Sequence, residues 1–575
     1  MNGLSRAAGG PRARRIRVGT AARRSAQWLP LLAVVCFLVI WPLLALEAHS
    51  FSDGLRSYRA AFSTPGIWRS IWLTFALAIA DVVFAAVVGT VLAWFALHLP
   101  RRLQAVGAVV PLIPLLVPSV AAVTGWIFLL SPRAGYLNST LRALSDSSQA
   151  AGPLDVYTFS GIVFVTGLIF SSFMYVFVYN GLRTTGAEYE EAAAVSGASP
   201  LRSFLTVTLP QLRPSLTYGA GIVFMLALGQ FSGPVLLGGP AKLDVLTTRM
   251  FSLLESYPIP FGEVAALGAP LLAAGLLVVL LQRWFIGDLR RYQTVGGRVQ
   301  RVARKPTSWA ALWIALFALF AVLLPVLALI YTALSPFWSA RMGLDRLTLN
   351  NFVAVFANRN LVNAITTSIL ASFVTIVIVL PVGYWAARIL AARTRAPSLA
   401  MRTLDLVLLL PYAVPATLFG FALLFAYVRP PFSLYGTQTI IVVAYVTIML
   451  PYAVRLLLAG LISYGPEAWE ASAISGAGPM RTFVRVTIPL MRGSAIVAAA
   501  MIFILLFQEF AVSLLVRSAT VQVVGSVLYD QYVGGSYPGV AVLALIMVVI
   551  TAVGVGVMLA AGGTDIMRRV GGPAR

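Results

Sequence analysis

Long apolar stretches alternate with short polar segments along almost the whole chain. Most of the apolar stretches run for about 20 residues or more, which is the length that an α-helix needs to cross a bilayer. Polar residues do not recur at every second position within them, as they would in a membrane β-barrel. The pattern therefore predicts an all-α polytopic membrane protein with about twelve transmembrane helices. The predicted spans are residues 28–46, 71–97, 106–130, 159–181, 215–237, 264–286, 309–334, 363–390, 404–428, 437–460, 493–516 and 538–561.

A basic polar segment divides these spans into two sets of six. Six is an even number, so both sets enter the membrane in the same orientation and form two parallel six-helix repeats. The first apolar run and the arginines before it resemble a signal peptide. That run is long enough to span, however, and many spans follow, so we predict an uncleaved first helix. The predicted domains are a basic cytoplasmic N-terminal tail (1–27), a first six-helix half (28–286), a basic cytoplasmic linker (287–308), a second six-helix half (309–565) and a cytoplasmic C-terminal tail (566–575).

The charge distribution supports this topology. The 575-residue chain is 59% hydrophobic and 11% charged, a balance that excludes a soluble globular protein, and its net charge is +23. If the N-terminus is cytoplasmic, most of the 42 Lys and Arg residues fall on the cytoplasmic side, as the positive-inside rule requires. We therefore expect both termini in the cytoplasm and basic loops facing anionic lipid, and we expect no nucleic-acid partner.

One polar loop occurs twice with a constant spacing, which we call the loop offset: positions 191, 197 and 210 recur at 470, 476 and 489. Its small residues predict a helix face that another protein can approach closely. Its glycine predicts a turn with positive φ, and Pro200 and Pro479 suit the first turn of a following short helix. Together these features predict a compact knob that serves as a docking surface. The candidate docking residues are Glu191, Ala192, Ala193, Gly197 and Pro210 in the first copy and Glu470, Ala471, Gly476 and Pro489 in the second.

The spacing Glu-Ala-Ala, three residues, Gly, nine residues, an aliphatic residue, any residue, Leu-Pro resembles the signature loop of binding-protein-dependent (type I) ABC importer permeases. The second copy departs from it at Ser472 and Ile488, changes that should leave the loop's shape intact. The resemblance implies a bacterial inner-membrane permease subunit with no enzymatic activity of its own. It also implies two docked copies of an ABC ATPase and an extracytoplasmic solute-binding protein.

The fused two-half arrangement resembles the ferric-iron group of these permeases, which has relatives for thiamine, phosphonates and polyamines. The stretches 231–240, 245–249 and 509–515 resemble that group most. Ferric iron is therefore the cargo that the resemblance favours, and the other three cargoes stay open. An external binding protein would capture the cargo, and the outer loops 131–158 and 238–263 would meet it.

The chain lacks the residues for ATP chemistry and for a resident metal. Neither Lys242 nor Lys305 lies in a phosphate-binding loop with the spacing Gly, four residues, Gly-Lys and Ser or Thr. We therefore expect no cofactor in this chain, with ATP and magnesium bound by the partner ATPase. Cys36 is the sole cysteine, and His49 and His98 are the sole histidines, so no metal site is predicted.

Two kinds of intramembrane residue are candidates for the translocation path. Paired prolines predict kinked helices that line a cavity, although a packing kink explains them equally well. Gln230 and Glu509 are related by the loop offset, and an intramembrane acid is costly unless it faces a partner or a cavity. They either line the path or form a structural hydrogen bond between the halves, and Asp81 is a weaker candidate. The candidate path residues are Pro114, Pro118, Pro411, Pro415, Gln230 and Glu509.

Two other function classes remain open. An ion-coupled secondary transporter would need coupling groups within its spans, and the chain offers only Asp81, Glu509 and Asp405. A membrane-embedded enzyme is disfavoured by the scarcity of histidine, cysteine and intramembrane acids.

Overall fold

The computed structural model describes most of the chain. The N-terminal tail, nearly all of the predicted linker and the end of the C-terminal tail lie outside the described residues. The described residues are 29–100, 102–145, 150–184, 187–286, 307–340, 343–391, 399–464 and 467–571.

Helices, turns and connecting loops make up the described residues, with no strand among them. The helices of the first half are α1 (Leu29–Ser50), α2 (Arg56–Ser63), α3 (Ile67–Leu97), α4 (Gln104–Val109), α5 (Ser119–Leu130), α6 (Tyr136–Leu144), α7 (Phe159–Thr184), α8 (Ala187–Val195), α9 (Pro200–Ser203), α10 (Leu209–Gln211), α11 (Arg213–Leu228), α12 (Ser232–Ala241), α13 (Leu246–Leu254), α14 (Phe261–Ala266) and α15 (Ala269–Ile286). A 3₁₀ segment, Val110–Leu116, follows α4, and a π-helical segment, Phe204–Thr208, follows α9.

The second half repeats much of this order. Its helices are α16 (Ser308–Ala318), α17 (Leu324–Leu334), α18 (Asn350–Ala357), α19 (Arg359–Ala391), α20 (Leu399–Ala413), α21 (Ala416–Tyr427), α22 (Gln438–Tyr464), α23 (Glu467–Ile474), α24 (Pro479–Thr482), α25 (Ile488–Phe507), α26 (Ala511–Val516), α27 (Val524–Val533) and α28 (Tyr537–Gly571). The π-helical segments Leu319–Leu323 and Phe483–Thr487 and the 3₁₀ turn Leu344–Arg346 complete it.

The prediction of about twelve spans is confirmed. Among the described residues, 9 helical stretches are long and apolar enough to cross a membrane, and three bent pairs raise the number to 12. The bent pairs are 104–116 with 119–130 (89°), 213–228 with 232–241 (58°) and 401–412 with 416–427 (107°). The predicted span 493–516 differs in detail, because its helix ends at Phe507 and a separate short helix, α26, follows.

The predicted proline kinks are present as complete breaks. Pro118 and Pro415 stand immediately before α5 and α21, each with an extended ψ (131° and 133°). Proline has no N–H to continue the helical hydrogen bonding, and it biases the residue before it toward an extended conformation. Val117 accordingly has φ −91° and ψ 124°. The two proline pairs thus end one helical arm and start another inside the membrane.

Close helix packing repeats in the two halves. A Cβ on Gly89 of α3 would lie 2.8 Å from Met174 Cβ of α7, and one on Gly383 of α19 would lie 2.9 Å from Ala453 Cβ of α22. Met174 and Ala453 are related by the loop offset, whereas Gly89 and Gly383 are further apart along the chain than that offset. Small residues at such crossings let membrane helices approach closely. Gly89 and Gly383 therefore occupy equivalent positions, which fixes the correspondence between the residues of α3 and those of α19.

The first helix of each half packs against the broken helix of the other half. Helix α1 lies against α21, where the Phe37 and Tyr427 ring centroids are 6.2 Å apart. Helix α17 lies against α5, where a Cβ on Gly125 would be 2.5 Å from the Pro325 carbonyl oxygen. This reciprocal exchange joins the two halves into one bundle.

Replacing Gly125 with valine should weaken the packing of α5 against α17. The added side chain would meet the α17 backbone, and overpacking of this kind costs about 1–3 kcal/mol. We expect a lower thermal unfolding midpoint for the purified protein in detergent. Gly556→Val is the matched control, because a Cβ there meets nothing within 4 Å. An equal midpoint for the two variants would contradict the packing assigned to α5 and α17.

Candidate docking loops and translocation path

Both docking loops end their first helix in the same way. In the first loop, the Ala198 N–H donates to the Ala193 carbonyl (3.0 Å), and in the second loop the Ala477 N–H donates to the Ser472 carbonyl (3.1 Å). This bond across six residues, with a left-handed glycine just inside it, is the Schellman arrangement. Gly197 has φ +81° and Gly476 has φ +72°, which confirms the predicted turn.

A short second helix completes each knob. Helices α9 and α24 begin at Pro200 and Pro479, as predicted. Glu191 lies in α8, and the matching Glu470 lies in α23 with an exposed side chain. Pro210 and Pro489 lie beyond the knobs, in the first turns of α10 and α25.

An exposed aliphatic side chain lies at the tip of each loop, and sequence reasoning did not single it out. Val195 is 90% exposed, and Ile474 at the equivalent position is 87% exposed. Both are the last residue of their helix, directly before the turn. An apolar side chain so exposed on a polar loop is a natural anchor for a partner protein. The loop offset was the signal that could have found this pair.

The two loops differ inside their knobs. In the second loop, the hydroxyls of Ser472 and Thr482 form a 2.8 Å hydrogen bond between α23 and α24. The first loop has Ala193 at the position of Ser472, and the Ser203 hydroxyl, at the position of Thr482, is buried without a hydrogen-bond partner. The departure at Ser472 therefore adds an internal link and leaves the shape of the turn unchanged.

Within the membrane, the helix breaks of one half hydrogen-bond to the breaks of the other. The Thr417 hydroxyl, just after the 411–415 break, donates to the Gly229 carbonyl at the end of α11 (3.1 Å). The Gln508 amide, at the end of α25, donates to the Leu116 carbonyl in the 114–118 break (3.1 Å). Gly229 and Gln508 are themselves related by the loop offset. The four candidate prolines thus lie beside hydrogen bonds that cross the boundary between the halves.

A ring of four aromatic side chains, which we call the aromatic quartet, lies next to these breaks. It consists of Phe231, Phe251, Phe510 and Tyr529. Around the ring, the centroid distances are 5.4 Å (231 to 251), 5.8 Å (251 to 529), 6.5 Å (529 to 510) and 5.9 Å (510 to 231).

The aromatic quartet lies on the axis that relates the two halves. Phe231 and Phe510 are equivalent residues in contact with each other, and equivalent residues can touch only close to a two-fold axis. Both are almost fully buried. If a path between the halves follows this axis, the aromatic quartet would close it at this level.

The candidate Gln230 is held by an acid within its own half. Its Nε2 donates to Asp81 Oδ2 (2.8 Å), and the Thr166 hydroxyl donates to Asp81 Oδ1 (2.9 Å). Asp81 is completely buried. The carboxylate therefore ties the α11–α12 break to α3 and α7, and Asp81, the weaker candidate, is the hydrogen-bond partner of the candidate Gln230.

The candidate Glu509 instead binds its own chain. Its carboxylate accepts the N–H groups of Val512 and Ser513 (both 2.7 Å) and the Ser513 hydroxyl, so it caps α26. The Ser513 hydroxyl also bonds to the Tyr445 hydroxyl (2.9 Å). Pro234 occupies the position of Ser513 in the first half and has no N–H to offer.

The structure therefore does not join Gln230 to Glu509. The hydrogen bonds described for these two side chains stay within their own halves, and Gln508 and Thr417 make the crossing bonds. Both candidates hold the shape of a break, while the residue that follows each of them, Phe231 or Phe510, faces the other half.

Charged residues surround the Tyr529 side of the aromatic quartet. Arg517 pairs with Asp530 and stands 5.8 Å from the Tyr529 ring centroid, and Gln522 donates to the other Asp530 oxygen (3.2 Å). Glu255 also belongs to this group: burial raises the pKa of its carboxyl, and Arg517 opposes that rise. One cation and two acids thus lie on the Tyr529 side of the aromatic quartet. Among the described residues, no group of three or more His, Cys, Asp or Glu could hold a metal ion.

Comparison with known proteins agrees with this geometry. Residues 82–291 and 379–561 each match the family described as binding-protein-dependent transport system inner membrane component. The ferric transport system permease protein FbpB of Actinobacillus pleuropneumoniae is 24% identical over 91% of this chain and 76% of its own length. The putative ferric transport system permease protein FbpB 1 of Haemophilus influenzae is 24% identical over 83% of this chain and 76% of its own. The sulfate transport system permease protein CysT of Salmonella typhimurium is 28% identical over 43% of this chain and 87% of its own.

Removing one ring of the aromatic quartet should make the path leaky. An aromatic pair contributes about 0.5–1.5 kcal/mol beyond its buried area, so Phe510→Ala should raise the open population about two- to tenfold. We expect a matching rise in passive ion leak through proteoliposomes that contain this chain alone. Phe503→Ala is the control, because it removes ring contacts at similar distances (5.9 Å to Phe507 and 5.8 Å to Phe373) outside the aromatic quartet. Equal leak from the two variants would show that the quartet does not close the path.

Proposed function

Because the chain belongs to the family of binding-protein-dependent transport system inner membrane components, we propose that it moves ferric iron into the cytoplasm as the fused permease of an ATP-driven importer. It is a multi-pass membrane protein and a transport subunit. In this proposal both termini and both docking loops are cytoplasmic, as the distribution of basic residues favours.

The paired docking loops carry the proposal. Two knobs with the same Schellman turn, the same short second helix and an exposed aliphatic tip suit two identical partners. The sequence offers no phosphate-binding loop, so ATP and magnesium would be bound by the partners. We infer two copies of one ATPase subunit, one on each knob.

The cargo assignment rests on the relatives and on the charge at the outer mouth. The relatives that cover most of this chain are named for ferric transport, whereas the sulfate permease matches less than half of it. In the proposed topology, Glu255, Asp530 and Arg517 lie on the outer side, and their net negative charge favours a cation over sulfate. Because no metal cluster occurs among the described residues, a separate binding protein would capture the iron.

The geometry of the intramembrane acids does not favour an ion-coupled transporter. Asp405 is paired with Arg455 (2.7 Å), Asp81 is bound by Gln230 and Thr166, and Glu509 caps α26. Each acid is thus committed to a structural contact, which would have to break before it could bind a coupling ion.

Valine at Gly197 or Gly476 should uncouple ATP hydrolysis from uptake. A left-handed backbone costs a residue with a Cβ about 1–2 kcal/mol. The population of the correctly folded knob should therefore fall about five- to thirtyfold. We expect ATPase binding and ATP-driven uptake to fall by that order, while membrane insertion stays normal. Gly54→Val is the control, because Gly54 also has a left-handed φ (+72°) and open surroundings but lies in the loop after α1. Normal uptake by the Gly197→Val, Gly476→Val double variant would argue against docking.

The cargo can be tested in proteoliposomes that contain this chain, its ATPase and its binding protein. We expect ATP-dependent uptake of ferric iron and no uptake of sulfate, thiamine, a phosphonate or a polyamine. Vesicles that lack the ATPase serve as the control. Uptake of another solute would overturn the iron assignment, and ion-driven uptake by this chain alone would overturn the importer.

A further inference from the structure

An open apolar cleft lies beside the first docking loop. Its volume is about 590 Å³, and it lies between α3, the π-helical segment 204–208 and the start of α11. Its lining is almost wholly apolar and includes Thr90, Val91, Trp94, Phe204, Leu209 and Leu216.

The cleft faces the bilayer. Along α3, Val83, Val87 and Val91 recur at every fourth position and are exposed, and Val87 and Val91 also line the cleft. Residues four apart share one helix face, and an exposed apolar face on a transmembrane helix contacts lipid tails. Hydrocarbon is therefore the medium into which the cleft opens.

The second half fills the corresponding space with its own side chain. The close-packed glycines Gly89 and Gly383 establish that Thr90 corresponds to Tyr384. The Tyr384 ring packs on Phe483 at 5.5 Å between centroids, and Phe483 is the counterpart of Phe204. The smaller Thr90 leaves this volume to an external occupant.

A cation lies on the same face as the cleft. Arg213 is exposed at the start of α11 and lies three residues before the lining residue Leu216, a spacing that places both on one face of that helix. In the proposed topology this is the cytoplasmic end of the span, where lipid phosphates lie. The second half has Arg492 at the equivalent position.

We propose that this cleft binds one acyl chain of an anionic phospholipid, with Arg213 at its phosphate. The lipid takes the place that Tyr384 fills in the second half. Because Phe204 belongs to the segment that connects the docking knob to its span, the bound chain braces the first docking loop from the membrane side. The second docking loop is braced by protein alone.

The test is a titration of the purified, delipidated full-length protein with phosphatidylglycerol, followed by native mass spectrometry. We expect wild type to bind one more lipid tightly than Thr90→Tyr, in which the new ring fills the cleft. Arg213→Gln should weaken that site about fivefold, because a basic residue near the lipid surface contributes about that factor. Arg492→Gln is the matched control and should leave the site unchanged.

Two further measurements keep the proposal falsifiable if Thr90→Tyr folds poorly. Tyr384→Thr should open a second cleft and add one tight lipid. Phosphatidylcholine should bind wild type more weakly than phosphatidylglycerol does. Equal losses in Arg213→Gln and Arg492→Gln would mean only general attraction to anionic lipid and would overturn the site. Unchanged lipid numbers in both cleft variants would also overturn it.

Discussion

The structure depends on how backbone groups are satisfied where its helices break inside the bilayer. Lipid tails offer no hydrogen-bonding partner, so each unpaired N–H or C=O there must find one within the protein. Gly229 and Leu116 expose carbonyls at such breaks, and Thr417 and Gln508 of the opposite half supply the donors. Each half therefore completes the other. A path that opens between the halves must replace these hydrogen bonds with bonds to water or cargo. The helix breaks therefore hold the halves together and are also where the halves can separate.

The two halves solve the same local problem with different chemistry. In the second half, the N–H groups at the start of α26 are free to bind Glu509, and the acid folds back onto its own chain. In the first half, Pro234 occupies the position of one of these donors and has no N–H. Gln230, at the position of Glu509, donates instead to the buried acid Asp81 of α3. An acid at position 230 would therefore lack one of the two backbone donors that Glu509 has.

Much of the fold followed from the sequence, because span length, proline position and a repeat with one offset are local signals. The positive φ of the loop glycines and the helix starts at Pro200 and Pro479 were predicted on that basis. The aromatic quartet was not predicted, because the contact of Phe231 with Phe510 depends on how two breaks face each other across the axis. The equivalence of Thr90 and Tyr384 was also not predicted from the sequence, for a different reason. These two residues are further apart along the chain than the loop offset, so the alignment of the docking loops gives no access to their correspondence.

Helical segments connect the docking loop to the break in each half; they are continuous in the second half and interrupted at Leu212 in the first. Helix α25 has 20 residues and is therefore about 30 Å long. It continues from the second knob through the π-helical segment as one stretch, Pro479–Phe507, and it ends directly before Gln508 and Glu509. A tilt of that stretch moves the Gln508 bond and the quartet together. In the first half, a turn at Leu212 separates α10 from α11, and the cleft lies beside that turn. The helical connection between docking loop and break is thus less continuous in the first half than in the second. The proposed lipid stabilises this less continuous connection.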